Sequence, residues 1–386
     1  MEVRPFTIHV PDDVLDDLRR RLEQTRLPNE LPDTGWEYGS NLGYIRELVQ
    51  YWRTTFDWRA QEAKLNRFQH YRTQVDGLDI HFIHERGQGP NPMPLIMTHG
   101  WPSCFFEMTK ILPLLTDPGS HGGDPADAFD MIVPSLPGFG FSDPASTRGM
   151  DVHRVAGLWH TLMTVNLSYP RFAAQGGDIG AGVTACLGYG YADSLYGIHL
   201  TSITRPAPYL GPGSRPLTAA EQALIDQRAR WQQDEGGYAH IQGTKPQTLA
   251  YGLNDSPAGL AAWIVEKYRT WSDCQGNVEA RYTKDELLTI VTLYWVTQSI
   301  ASSTRMYKEN QRTLWTMGPD EKIPAPAGMA MFPQEIARPP REWGERSYHV
   351  LRWEEMPRGG HFAALEEPEL LAQEVRAFFR QFRQRG

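Results

Sequence analysis

Apolar and polar positions change rhythm several times along the chain. Near the start, Val14, Leu15, Leu18 and Leu22 fall on one helical face of Pro11-Asp-Asp-Val-Leu-Asp-Asp-Leu-Arg-Arg-Arg-Leu22. Acids open that stretch and arginines close it, which matches the helix dipole. The rest of residues 1–77 is expected to be helical and is rich in aromatics: Trp36, Tyr38, Tyr44, Tyr51, Trp52, Phe56, Trp58, Phe68 and Tyr71. These are too many to leave in water, so the segment is expected to wrap onto another part of the molecule. From residue 78 the pattern becomes strand–turn–helix. Leu78–His84 alternates like a strand, Pro94–Thr98 and Phe129–Val133 are short apolar strands, and Arg171–Gln175 is another. Helices are expected near 104–115, near 152–168 and after 180, with a strand near 197–203.

Residues 205–325 break this rhythm. They open with the Pro/Gly-rich linker Arg205-Pro-Ala-Pro-Tyr-Leu-Gly-Pro-Gly-Ser-Arg-Pro216 and continue as helices rich in Trp and Tyr, the pattern of a lid inserted over a sheet. Two strands, about 328–332 and 347–353, and a final helix, about 368–384, restore the earlier pattern over 326–386. Short apolar strands alternating with helices predict an α/β fold with a mainly parallel sheet, built from 78–204 and 326–386.

The 386 residues suggest two or three structural units, and 40% apolar with 22% charged residues is an ordinary globular balance. A net charge of −8 with no Lys/Arg run argues against a nucleic-acid partner. No run of roughly 18 apolar residues occurs, and the acidic start does not resemble a signal peptide. Cys104, Cys186 and Cys274, odd in number and widely spaced, fit free thiols in the cytoplasm. No spacing of ligands suggests a metal, and no cofactor is expected. A homodimer stays open.

Candidate chemistry gathers at Gly176-Gly177-Asp178-Ile179-Gly180, between a strand and a helix. Glycines around one reactive side chain describe a nucleophile elbow, although an aspartate there is also a plain helix cap. His361, in Arg358-Gly-Gly-His-Phe-Ala-Ala-Leu365, follows the last strand, where an α/β-hydrolase carries its base. An acid to orient it is expected at Glu335, after the next-to-last strand, with Glu354 and Glu355 as competitors. The turn His99-Gly-Trp-Pro102 brings backbone near the elbow, so the N–H groups of Trp101 and Ile179 are candidates for an oxyanion hole.

Aspartate in place of serine decides the reaction. Serine attacking a saturated carbon would form an ether that water cannot release. Aspartate forms an alkyl ester, which a water activated by His361 can cleave at the Asp178 carbonyl. Epoxides and alkyl halides are the two substrate classes left. A departing epoxide oxygen needs an acid such as a tyrosine hydroxyl, and a halide needs donors such as an indole N–H. Tyr238 and Tyr307 lie in the lid, but 16 tyrosines prevent composition from selecting them. A silent small-molecule binding protein is the alternative outside enzymes. Gly180-Ala-Gly-Val-Thr-Ala185 matches a dinucleotide fingerprint, but it starts inside the helix and is better explained by close packing.

The chain resembles the microsomal-type epoxide hydrolases, which have an α/β-hydrolase fold with a lid and an N-terminal extension. The resemblance rests on His99-Gly-Trp-Pro-Ser103, Gly176-Gly-Asp-Ile-Gly180, His240-Ile-Gln-Gly-Thr-Lys-Pro246, Leu253-Asn-Asp-Ser-Pro257, Met306-Tyr-Lys-Glu-Asn310 and Arg358-Gly-Gly-His-Phe-Ala-Ala-Leu-Glu-Glu-Pro-Glu369. It implies Asp178 as nucleophile, His361 as base, Glu335 as its acid partner, and Tyr238 with Tyr307 as the pair that binds the epoxide oxygen. It also implies a soluble relative without the family's membrane anchor, acting on a small-molecule epoxide in detoxification or biosynthesis. Ile179 stands where mammalian members carry Trp, so the pocket wall differs.

Overall fold

A computed structural model describes residues 2–313 and 315–383. Its centre is a nine-stranded sheet: β1 (Val3–Pro5), β2 (His70–Val75), β3 (Leu78–Glu85), β4 (Met93–Thr98), β5 (Phe129–Pro134), β6 (Phe172–Gly176), β7 (Leu195–Leu200), β8 (Ile323–Met331) and β9 (Tyr348–Glu355). The spatial order is β1-β2-β3-β5-β4-β6-β7-β8-β9. From β5 to β9 the neighbours run parallel, as expected for strands joined through helices, and β1, β2 and β3 add an antiparallel edge. Side chains alternate across the sheet: Ile96 and Ile132 join one core, while Leu95, Met97, Met131 and Val133 join the other. Both faces are covered, so the central strands are apolar at nearly every position.

Several boundaries differ from the sequence-based expectations. Residues 1–77 are not helical throughout, since β1 and β2 belong to the sheet. The region near 104–115 is a single 3-10 turn (Phe105–Met108) followed by a short helix (Leu112–Thr116), because Pro113 starts the helix afresh. The strand expected at 328–332 begins at Ile323, so residues 323–325 belong to the sheet rather than the lid. The last helix covers Pro368–Phe379 and gives way to a 3-10 turn at Arg380–Phe382; residue 384 lies outside the described residues.

The N-terminal segment touches the helices of residues 205–325. Trp52 and Trp58 are buried, Ser40 Oγ donates to the lid carbonyl of Ala262 at 2.7 Å, and Tyr51 donates to Asp285 at 3.0 Å. Tyr38 is the exception among the aromatics and stays 76% exposed. The segment expected to form a lid contains helices Ala219–Asp234, Gly237–Thr244, Pro246–Asp255, Pro257–Trp271, Lys284–Val296 and Ile300–Arg312. No helix among the described residues is long and apolar enough to cross a membrane.

The helix Asp178–Gly190 lies against β4, β6, β7 and β8 and is buried from Ile179 to Gly188. Its small residues allow that approach. A Cβ on Gly180 would sit 1.9 Å from the carbonyl oxygen of Thr98, so the elbow can meet β4 only through glycine.

Candidate active site

Asp178 occupies the turn between β6 and its helix with φ of 49°, the left-handed region that a residue with a Cβ rarely adopts. Hydrogen bonding offsets this strain. The Asp178 N–H donates to Ser202 Oγ at 3.0 Å, just after β7. The Trp101 N–H donates to Asp178 Oδ1 at 2.8 Å. Of the two expected backbone donors, Trp101 is therefore engaged with the carboxylate; the Ile179 N–H makes no hydrogen bond to it among the described residues. The turn carrying Trp101 presses so close that a Cβ on Gly100 would lie 2.3 Å from Asp178 Oδ1.

His99 supports this turn from inside. Its Nε2 accepts from the Leu136 N–H at 3.2 Å, which leaves Nδ1–H to donate to the Gly100 carbonyl at 3.1 Å. Burial pushes its pKa down to about 4, so it is a neutral strut rather than a second base.

His361 lies on the other side of Asp178. Its Nδ1 is 2.7 Å from Glu335 Oε1 and its Nε2 is 3.6 Å from Asp178 Oδ2. With Nδ1–H donating to Glu335, Nε2 is the atom turned to the nucleophile. Both His361 and Glu335 are buried. Burial opposes the imidazolium, but the carboxylates of Glu335 and Asp178 outweigh it and hold the pKa of His361 well above its ordinary value. The competing acids are engaged elsewhere, Glu354 with Arg352 and Glu355 with Arg338.

Backbone contacts position the loop carrying His361. From the core, the Gln334 N–H donates to the Gly359 carbonyl at 3.0 Å. From the lid, the Trp271 carbonyl accepts the His361 N–H at 2.9 Å, and Asp273 Oδ2 accepts the Gly359 N–H at 3.0 Å. Glu366 ties the two loops together by accepting from the N–H groups of Asp273 at 2.9 Å and Phe362 at 3.0 Å.

The two lid tyrosines, which composition could not select, stand together beside Trp101. Tyr238 stacks on the Trp101 ring at 5.4 Å and 9°, Tyr307 meets it edge-on at 5.7 Å, and the tyrosine centroids are 5.8 Å apart. Burial, joined by the nearby Asp178 charge, raises both phenol pKa values above the ordinary range, so both stay protonated at neutral pH. Among the lid tryptophans, Trp271 lies 5.2 Å from His361 and Trp231 lies 6.3 Å from Tyr238. Trp263 instead donates to Gln242, and Trp295 lies under Arg21.

Sequence reasoning missed Glu107, which is buried beside this cluster, and the Asp273–Glu366 tie. One signal for Glu107 was available: a single acid inside the apolar run Phe105-Phe-Glu-Met108.

Comparison with known proteins places the chain in a family. Residues 3–108 match the family model described as the epoxide hydrolase N terminus. The chain is 46% identical over 385 residues to a putative epoxide hydrolase of Stigmatella aurantiaca (strain DW4/3-1), covering 99% of this chain and 86% of that one. It is 39% identical over 401 residues to epoxide hydrolase 1 of Sus scrofa, covering 97% and 88%. The structure of Aspergillus niger epoxide hydrolase superimposes with a TM-score of 0.86 at 31% identity, covering 99% and 97%. An aspartate elbow under a paired-tyrosine lid, a matching N-terminal segment and end-to-end similarity lead to one assignment: the chain is a member of the epoxide hydrolase family.

Proposed function

We propose that the protein converts an epoxide and water to a vicinal diol through an ester on Asp178. Asp178 Oδ2 attacks a ring carbon and the C–O bond to the ring oxygen breaks. Tyr238 and Tyr307 donate to that oxygen as it leaves. Water then attacks Cγ of Asp178, giving a proton to His361 Nε2, and the C–O bond to the diol breaks as His361 returns the proton. In this reading residues 1–77 brace the molecule, 78–204 with 326–386 carry the triad, and 205–325 carries the tyrosines. The observation that supports it best is the line Glu335–His361–Asp178, with contacts of 2.7 and 3.6 Å.

The charge balance suits two steps. While Asp178 is ionised, His361 is held charged. Esterification neutralises Asp178 and removes one of the two carboxylates, so the ring gives up its proton, which restores the tyrosine that protonated the ring oxygen, and becomes the neutral form that deprotonates water. A single turnover with excess enzyme in ¹⁸O-water tests the mechanism. The first diol should carry no label and Asp178 should acquire it; label in that diol means that water attacks the substrate directly.

Haloalkane dehalogenation is the second reading, favoured by one observation: the indole N–H groups of Trp101 and Trp271 have no hydrogen-bond partner among the described residues. Halide release from chloroalkanes, with no diol from styrene oxide, would establish it. The three buried, free cysteines favour the cytoplasm as compartment. A homodimer would sediment at twice the chain mass.

A further inference from the structure

A cavity of about 10 Å³ opens beside Asp178 and His361, a volume that fits one water. Neither Tyr238 nor Tyr307 lines it; Glu107, Gln175, Ser103, Thr201, Thr98 and His99 are among its polar walls. Two of these side chains are buried acceptors. Gln175 is 2% exposed, and its Oε1 has no hydrogen-bond partner among the described residues. Glu107 is 8% exposed on the 3-10 turn that follows the His99–Pro102 turn. The unpartnered amide oxygen needs a donor, and the Glu107 carboxyl, which the Ser103 hydroxyl already meets, has further lone pairs; a water has two hydrogens to give.

We propose that this cavity is the seat of the hydrolytic water and that Glu107, with Gln175, orients it. One hydrogen points to His361 Nε2 and the second to the Glu107 carboxyl or to Gln175 Oε1, which turns the oxygen lone pair toward Asp178 Cγ. On attack, the new bond forms from water oxygen to Cγ and the first hydrogen passes to His361. The second stays on the incoming oxygen, held by Glu107, until the ester C–O bond breaks, and then passes from the Asp178 carboxyl to His361, which restores the resting pair. Burial, opposed by the Ser103 hydroxyl, raises the Glu107 pKa to about 7, so the ionised, stronger acceptor is available near neutral pH. The proposal rests on the ester mechanism above and adds to it the residue that places the water.

The two half-reactions separate the roles. Stopped-flow tryptophan fluorescence with styrene oxide reads ester formation, and rapid quench reads ester hydrolysis. Glu107→Leu should slow hydrolysis about 10²-fold, the scale of a misplaced reactant, while ester formation stays within about twofold. Glu107→Gln keeps one acceptor oxygen and should recover part of the loss. Gln175→Met should slow the same step and guards against a folding defect in the first variant. Unchanged hydrolysis in Glu107→Leu, or equal slowing of both half-reactions in both the Glu107 and Gln175 variants, overturns the proposal. A wild-type chain that never forms the ester overturns both this and the mechanism beneath it.

Discussion

The charge on His361 depends on Glu335 and Asp178, and only one of them stays ionised through the proposed reaction. Replacing the constant one is therefore informative. Glu335→Gln should lower the pKa of His361 in the resting protein, readable by NMR titration of the ring. It should also slow ester hydrolysis by about 10²–10⁴-fold, the range of general base catalysis, with the ester accumulating. Ester hydrolysis at the wild-type rate would remove Glu335 from the mechanism. Tyr307→Phe acts on the other step, since it removes one of two donors to the leaving oxygen. Ester formation should slow by about 10–10²-fold, the loss of about 1.5–3 kcal/mol for a hydrogen bond to a charged group. Hydrolysis of preformed ester should not change. The sequence led to these residues unevenly. Asp178 and His361 were legible because glycines mark their turns. Glu335 was favoured over Glu354 and Glu355 by its place after the next-to-last strand, and it is the one that lies 2.7 Å from His361.

Among the elements, the elbow helix and the lid loop after Trp271 behave differently. Gly180→Ala forces a methyl into the Thr98 carbonyl at 1.9 Å, backbone against backbone, which neither side can relieve by a rotamer change. Loss of fold is expected, beyond the about 1–3 kcal/mol of ordinary overpacking, and thermal melting would detect it. Asp273→Ala should leave the helices intact, with Arg281 still paired to Glu367, and instead free the Gly359 N–H, loosening the loop that carries His361. We expect normal ester formation and slower hydrolysis; equal slowing of both would mean that the loop serves only stability. This tie joins residues 86 and 93 positions apart. No local pattern announces such a contact, because each partner alone looks like a solvated acid in a loop. The strands β1 and β2 escaped for a different reason. Three residues are too few to show a period of two, and β2 sits among aromatics that read as helical packing.

Over the whole molecule, buried histidines shape the response to acid. Burial pushes His99 and His84 down to about 4 and His199 to about 3, and lowers His70 and His81 as well. A depressed histidine pKa means that the unfolded chain binds the proton first. The stability is complete above about pH 6.5 and is lost as pH falls toward the folded value. Glu107 and Glu366, raised to about 7 by burial, slope the other way: they favour the fold at low pH and lose that contribution between about 4.5 and 7. His199 isolates the first effect, because neither ring nitrogen has a partner among the described residues and the side chain is fully buried. His199→Met should be neutral or stabilising at pH 7. Between pH 7 and 4.5 it should lose about 2 kcal/mol less than wild type in urea unfolding. A variant that tracks wild type across that range would show that His199 does not charge on unfolding.

The lid's hold on the backbone of Gly359 and His361 bears on how such a molecule can be rebuilt. A lid exchanged with a relative to admit a different epoxide would also exchange the carbonyl of Trp271 and the carboxylate of Asp273 that anchor the base. Such a chimera would capture its new substrate and then stall as a stable ester. Recruiting new substrates therefore requires the Trp271–Asp273 corner to be inherited with the core rather than with the lid.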